Sequence, residues 1–275
     1  DIDITVTNSP ATTGNDPALW VLSGENAGNV INAKGGDIRL SSSFGTTGSG
    51  GGGDQAIYIT STVLDFGLDL ITQGTGSITI SGDASNNPSD TTSGGQAPGV
   101  VMTGENRLQT ESGDITITGI VGKDVARNYS IEAQGRLKVL SESGAITVNA
   151  LAPQDGRNGA DYGLNMYMPT AQDIDIFFGA DGDEVAASSS DITFNANYIF
   201  NMLGNAEKRI RFITSGDVTV QSEGSSSTLM NVEGLQVEGA SSVTIGKPTN
   251  TSGVTLGEAD KAGFFETVGP ITVYG

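Results

Sequence analysis

NRLQTESGDITI, residues 106–117, is written again as GRLKVLSESGAITV, residues 135–148. Each copy runs from one alternation of apolar and polar residues, through a Ser-Gly corner, into a second alternation. Period-two alternation marks a half-buried β-strand, and a Gly-containing polar stretch between two such runs marks a turn. The repeated unit is therefore strand, corner, strand.

The strand after the corner recurs as apolar-x-apolar. It reads GGDIRLS (35–41), GSITIS (76–81), GDITIT (113–118), GAITVN (144–149), QDIDIF (172–177), SDITFN (190–195), GDVTVQ (216–221), SSVTIG (241–246), GVTLG (253–257) and PITVYG (270–275). Successive copies are separated by 11 to 40 residues. Propellers and hexapeptide helices keep tighter periods. Constant strands joined by inconstant loops predict an all-β fold, a right-handed parallel β-helix (β-solenoid) with irregular loop insertions. Three strands per coil are expected. DITITG is followed by YSIEAQG (129–135) and RLKVLSESG (136–144), and SITISG by GVVMTGE (99–105) and NRLQTESG (106–113). About ten coils would make a rod of about 50 Å at the spacing of neighbouring strands. The expected organisation is one segment, 1–275, with regular three-strand coils over 1–161 and a less regular continuation over 162–275. Because DIDITVT opens the chain and PITVYG closes it, both inside strand patterns, it reads as a fragment of a longer protein.

One coil cannot bury its own apolar face, but a stack can. Ile38, Ile78, Ile115, Ile146, Ile174, Ile192, Val218, Val243, Val254 and Ile271 are expected to form one interior column. Leu40, Ile80, Ile117, Val148, Ile176, Phe194, Val220, Ile245, Leu256 and Val273 form the second. Glycine ahead of the strand is expected to permit the corner turn. The residue between the columns points outward and is mostly threonine, interrupted at Arg39 and Asp175. The next outward row, with Phe177 in it, is too mixed to match an ice lattice. The threonines therefore read as strand formers with stacked hydroxyls.

Composition bounds the chemistry. Apolar residues are 36 % of 275 and glycines number 40, which suits a thin, turn-rich stack better than a thick core. Acidic residues outnumber basic ones 32 to 13, so nucleic acid and anionic membranes are repelled. There is no cysteine and no histidine, which excludes disulfides, thiol nucleophiles, the usual zinc sites and Ser-His-Asp triads. No apolar run approaches the roughly 18–20 residues of a membrane span. GSGGGGD (48–54) lacks the Gly-Lys-Ser/Thr that completes a phosphate loop.

Two carboxylate groups stand out. GADGDEV (179–185) gathers Asp181, Asp183 and Glu184 around a glycine, like the start of a calcium loop, although Ser188 stands where the closing Glu belongs. Ca²⁺ is the cofactor this stretch would hold; a solvated turn is the alternative. Asp also precedes the strand at Asp37, Asp114, Asp173, Asp191 and Asp217. On consecutive coils Asp173, Asp191 and Asp217 could assemble the stacked carboxylates of a carbohydrate-active β-helix enzyme, with Lys208, Arg209 and Arg211 as base or clamp. The alternative is that each simply accepts a turn amide.

GSITISG, SGDITITG and SGAITVNA, and still more VTIGKPTNTSGVTLGEADKAGFFETVGPITVYG (243–275), resemble the repeats of filamentous-haemagglutinin-like giant bacterial surface adhesins. The resemblance covers most of the chain but not 162–216, which is richer in Met and aromatics. It implies a β-helix, secretion or display at the cell surface, and roles in adhesion, biofilm or contact between cells. It supplies no catalytic residues. The expected function is a non-catalytic strut and binding surface, with glycans, a host or neighbouring-cell surface, or like subunits as partners. Contacts are expected in the loops 44–54 and 82–98 and around Tyr162, Tyr167, Phe177 and Phe178. A self-assembling fibre subunit is the remaining alternative.

Overall fold

The structure is a computed structural model. It describes residues 1–8, 17–23, 28–44, 55–61, 67–86, 98–121, 129–151, 162–167, 176–196, 199–203, 210–222, 230–231, 235–249, 254–255 and 264–274.

Among the described residues, twenty-five strands fall into three sheets, and every pairing is parallel. The chain visits the sheets in strict rotation, so each coil places one strand on each of three faces. The first face stacks Ile2–Asn8, Ile38–Phe44, Ile78–Asp83, Ile115–Ile120, Ile146–Leu151, Ile192–Ala196, Asp217–Ser222, Ser242–Ile245 and Ile271–Val273. The second stacks Leu19–Ser23, Ile57–Ser61, Val100–Thr103, Tyr129–Gln134, Tyr162–Tyr167, Ile199–Leu203, Met230–Asn231 and Val254–Thr255. The third stacks Asn29–Asn32, Leu68–Ile71, Asn106–Thr110, Leu137–Ser141, Ile176–Gly179, Ile210–Ile213, Leu235–Glu238 and Phe264–Glu266. This is a parallel β-solenoid of eight coils and the first strand of a ninth. At the spacing of paired strands the first face rises about 38 Å.

The two interior columns of the first face form as the alternation requires. Ile38, Ile78, Ile115, Ile146, Ile192, Val218 and Val243 are buried in register, as are Leu40, Ile80, Ile117, Val148, Phe194, Val220 and Ile245. Each such side chain contributes about 1.5–3 kcal/mol by leaving water. Two of the ten expected members sit elsewhere. QDIDIF does not return to the first face. Its Ile176 pairs with Ile210 on the third face, and Ile174 lies outside the described residues. GVTLG likewise contributes Val254 to the second face, paired with Met230. Apolar-x-apolar says that a strand is half-buried, not which face it joins.

The three-strand rotation continues through the described strands from Tyr162–Tyr167 to Ile271–Val273. Phe178 stands edge-on to Phe194 and Phe212 at 4.9 and 5.2 Å between ring centres, and the latter two stack at 5.1 Å. These three rings are fully buried.

The corner glycines act by close approach. A Cβ on Gly144 would lie 1.9 Å from the carbonyl oxygen of Gly113, and one on Gly113 would lie 1.9 Å from that of Gly76. Neither needs a left-handed backbone, so the expected reason, freedom to turn, gives way to lack of room between coils. Buried hydroxyls complete the corner. Thr110 Oγ1 donates to the Gly113 carbonyl at 2.7 Å, and Ser141 Oγ accepts the Gly144 N–H at 2.9 Å.

Candidate functional site

The corner before the first face holds the aspartates. Each carboxylate reaches along the stack to the next coil. Asp1 Oδ1 accepts the amide of Asp37 at 3.0 Å, Asp37 Oδ1 that of Ser77 at 2.8 Å, and Asp114 Oδ1 that of Ala145 at 2.8 Å. Asp191 Oδ1 accepts the amide of Asp217 at 2.9 Å, and Asp217 Oδ1 accepts the hydroxyls of Ser242, at 2.8 Å, and Ser241. Those two hydroxyls hold the Asp217 carboxyl below the usual carboxylate range. Asp191 and Asp217 do lie on adjacent coils, as a stacked pair requires. Asp173, Lys208 and Arg209 lie outside the described residues. Arg211 is on the third face, where its guanidinium bonds Glu238 at 2.5 Å and sits 5.3 Å from the Phe177 ring centre. The structure thus commits the Arg211 guanidinium to Glu238 on the third face.

Outward from that corner, the first face is an ordered polar surface. Thr79, Thr116, Thr147, Thr193, Thr219, Thr244 and Thr272 stand in register on consecutive coils. The expected break at Asp175 is absent because QDIDIF is not on this face. The second outward row is Thr5, Ser41, Ser81, Thr118, Asn149, Asn195 and Gln221. Phe177 is not in it. Its amides bond one another, Asn195 Nδ2 to Asn149 Oδ1 at 2.9 Å and Gln221 Nε2 to Asn195 Oδ1 at 2.6 Å.

The third face carries charge. Its outer column runs Val30, Asp69, Arg107, Lys138, Phe177, Arg211, Gln236 and Phe264. The segment after Ile176–Gly179 folds back over it. Lys138 Nζ lies 2.7 Å from Asp181 Oδ2 and 2.7 Å from Glu184 Oε2, while Arg107 reaches both Asp69 and Glu184. Asp181 Oδ1 also accepts the amides of Asp183 and Val185, both at 3.1 Å. Burial opposes ionisation of Asp181. The Glu184 and Lys138 side chains and the two amides outweigh it, and its carboxyl is held far below the usual range. Burial likewise opposes the charge on Lys138, but the bonds to Asp181 and Glu184 win and raise its pKa. The carboxylates expected to take Ca²⁺ therefore converge on a lysine of the neighbouring coil. Asp183 contributes only its backbone amide to this cluster, its side chain being exposed. Among the described residues no group of three or more acidic side chains is placed to share a metal.

Beside these pairs is a recess of about 340 Å³ lined by Val30, Asp69, Glu105, Arg107, Lys138 and Glu184. Of its charged residues only Glu184 stood out in the sequence, although Arg107 and Lys138 hold matching places when the two copies are aligned on their ESG corner. Glu132 was missed too. On the second face it shares an outer column with Val101 and Asn165, and all three are buried. Burial pushes its carboxyl up, opposed by a 2.6 Å bond from Gln134 Nε2.

The expected aromatic contact surface is revised. Phe178 is in the core, and Phe177 lies half-buried against Arg211. Tyr162 and Tyr167 bound a strand of the second face. Phe44 is buried, and 45–54 and 87–97 are outside the described residues. No helix among the described residues is long and apolar enough to cross a membrane. No family model, curated protein or solved structure matches the chain.

Proposed function

We propose that this chain is a non-catalytic structural and adhesive segment of a bacterial cell-surface or secreted protein. The observation that carries the reading is the use of the corner aspartates. Asp37, Asp114 and Asp191 each commit an oxygen to an amide of the next coil, and Asp217 to two hydroxyls. A carboxylate held this way joins coils. A catalytic pair needs its oxygens turned toward a shared substrate, with a proton donor or cation beside them. The wording of the repeats, similar to that of filamentous-haemagglutinin-like adhesins, supports the same reading and with it a place outside the cell. The stack presents an ordered hydroxyl and amide surface on one face and paired charges on another. Glycans and the surfaces of neighbouring cells are the partners such polar faces suit, and a net charge of −19 disfavours nucleic acid.

The test is to incubate the purified chain with pectin, alginate and neutral glycans, then measure both retention and new reducing or unsaturated ends. Retention without product is expected. Multiple-turnover release of product would replace this reading with the carbohydrate-active one.

A further inference from the structure

The recess on the third face takes its charged lining from four coils. Asp69 comes from the second coil, Glu105 and Arg107 from the third, Lys138 from the fourth, and Glu184 from the segment after the last strand of the fifth. One side of it is held by the backbone. Asn106 is buried, its Oδ1 accepting the Leu68 N–H at 3.0 Å and its Nδ2 donating to the Thr103 carbonyl at 3.1 Å. A Cβ on Gly67 would lie 1.6 Å from the Glu105 carbonyl oxygen, so the second and third coils meet here backbone to backbone. The cavity of about 340 Å³ is therefore preformed, and it falls at the small end of ligand-binding pockets.

The polar groups on its wall are only partly used. Arg107 bonds Asp69 Oδ2 with one terminal nitrogen and reaches Glu184 Oε1 with the other. Lys138 Nζ meets Asp181 Oδ2 and Glu184 Oε2, and Glu105 Oε2 accepts from Arg136 at 3.1 Å. Among the described residues, Asp69 Oδ1 and Glu105 Oε1 accept no hydrogen bond, and the third N–H of the Lys138 ammonium has no acceptor. The Arg107 Nε–H is buried without a partner as well. Spare acceptors and spare donors thus share one cavity.

That combination selects among ligands. An anion would find each cation already facing a carboxylate, in a chain of net charge −19. A metal ion would find two cations among the carboxylates, and no group of three acidic side chains is placed to share it among the described residues. An apolar molecule would strip water from ionised groups and give nothing back. A sugar hydroxyl both donates and accepts. It can give its proton to a carboxylate oxygen and take one from the neighbouring ammonium or guanidinium.

We infer that this recess binds a neutral mono- or disaccharide unit of a glycan, with Asp69 and Glu105 accepting from its hydroxyls and Lys138 and Arg107 donating to them. The inference rests on the adhesive reading and gives it a site and a ligand class. The ion pairs already hold the wall in place, so binding needs little reordering of side chains.

The test titrates the 275-residue chain by calorimetry with cellobiose, maltose, lactose and mannobiose, and with digalacturonate as the acidic counterpart. It is repeated on Asp69→Asn, Glu105→Trp and Glu142→Gln. The first removes a spare acceptor and the second fills the recess. The third removes an exposed carboxylate at the corner of the fourth coil, outside the recess. Saturable binding of at least one neutral disaccharide is expected, and none of digalacturonate. Asp69→Asn should weaken binding about tenfold or more, as loss of a hydrogen bond to a charged group does. Glu105→Trp should abolish it, and Glu142→Gln should leave it unchanged. The Glu105 side chain is 41 % exposed, so its replacement should not lower the melting temperature of the free chain. Absence of saturable binding, preference for digalacturonate, or equal affinity in the parent and Glu105→Trp would overturn the inference. If the parent and Glu105→Trp are then retained alike on polymeric glycans, the site fails and the adhesive reading stands. If neither is retained, both fail.

Discussion

Asp191 and Asp217 occupy the same corner on adjacent coils, and the carboxylate of the first accepts the backbone N–H of the second at 2.9 Å. Residues that a sequence reader pairs as catalytic partners are here backbone donor and side-chain acceptor in one structural bond. The same bond recurs from Asp37 to Ser77 and from Asp114 to Ala145.

The in-out assignment is tested on neighbours. Ile117 is fully buried between Ile80 and Val148, and Thr116 stands outward between Thr79 and Thr147. Ile117→Asp leaves an unpaired carboxylate in the core and should destabilise by more than about 3 kcal/mol. Thr116→Asp should change stability by about 1 kcal/mol or less. Equal losses in denaturant titrations would contradict the register.

Close approach at the corner is tested at Gly144. Gly144→Ala drives a methyl into the Gly113 carbonyl and should cost about 1–3 kcal/mol. Ser143→Ala, one residue away and exposed, should stay within about 0.5 kcal/mol. A neutral Gly144→Ala would show that the coils have room to part.

The Lys138–Asp181 pair predicts a pH window. The Asp181 carboxyl is depressed on folding, so its stabilisation is full above its unfolded value, about 3.9, and fades as pH falls below that toward its lower folded value. The Lys138 ammonium is raised, so its share is present below about 10.4 and is lost as pH climbs through its higher folded value. The melting-temperature gap between the parent chain and Asp181→Asn should be constant from about pH 5 to 9 and shrink on the acid side. A gap that grows toward low pH would refute the pairing. With Lys138 already facing these carboxylates, Ca²⁺ should shift the melt no more than NaCl of equal ionic strength.

Glu132 carries the opposite sign. Its carboxyl is raised by burial, so ionisation costs folding free energy above its unfolded value, about 4.3. Glu132→Gln should raise the melting temperature at pH 7, with the advantage vanishing below about pH 4. A lower melting temperature at pH 7 would mean that the charge has a partner worth more than its burial.

The first face was legible almost coil by coil, because Ile-Thr-Ile alternation and an Asp corner are local signals. The other strands of the third and fourth coils were legible for the same reason, through Val100–Thr103, Asn106–Thr110, Tyr129–Gln134 and Leu137–Ser141. QDIDIF was misplaced because Ile176 carries the same local pattern while pairing on the third face. The candidate site was legible only as an accumulation of charge. GADGDEV announces carboxylates, but nothing near it announces Lys138 or Arg107, which lie 46 and 77 residues from Glu184. Phe177 and Phe178 are adjacent aromatics in the sequence. Only the register shows that one faces Arg211 and the other the core.

The most direct test of the central claim, that the corner aspartates hold coils together and do no chemistry, is a paired measurement on Asp191→Ala and Asp217→Ala. Melting temperature and product release from acidic glycans are recorded for each variant and for the parent chain. The account predicts that both variants melt lower than the parent and that none of the three proteins releases product. Parent turnover that disappears in variants melting like the parent would contradict it.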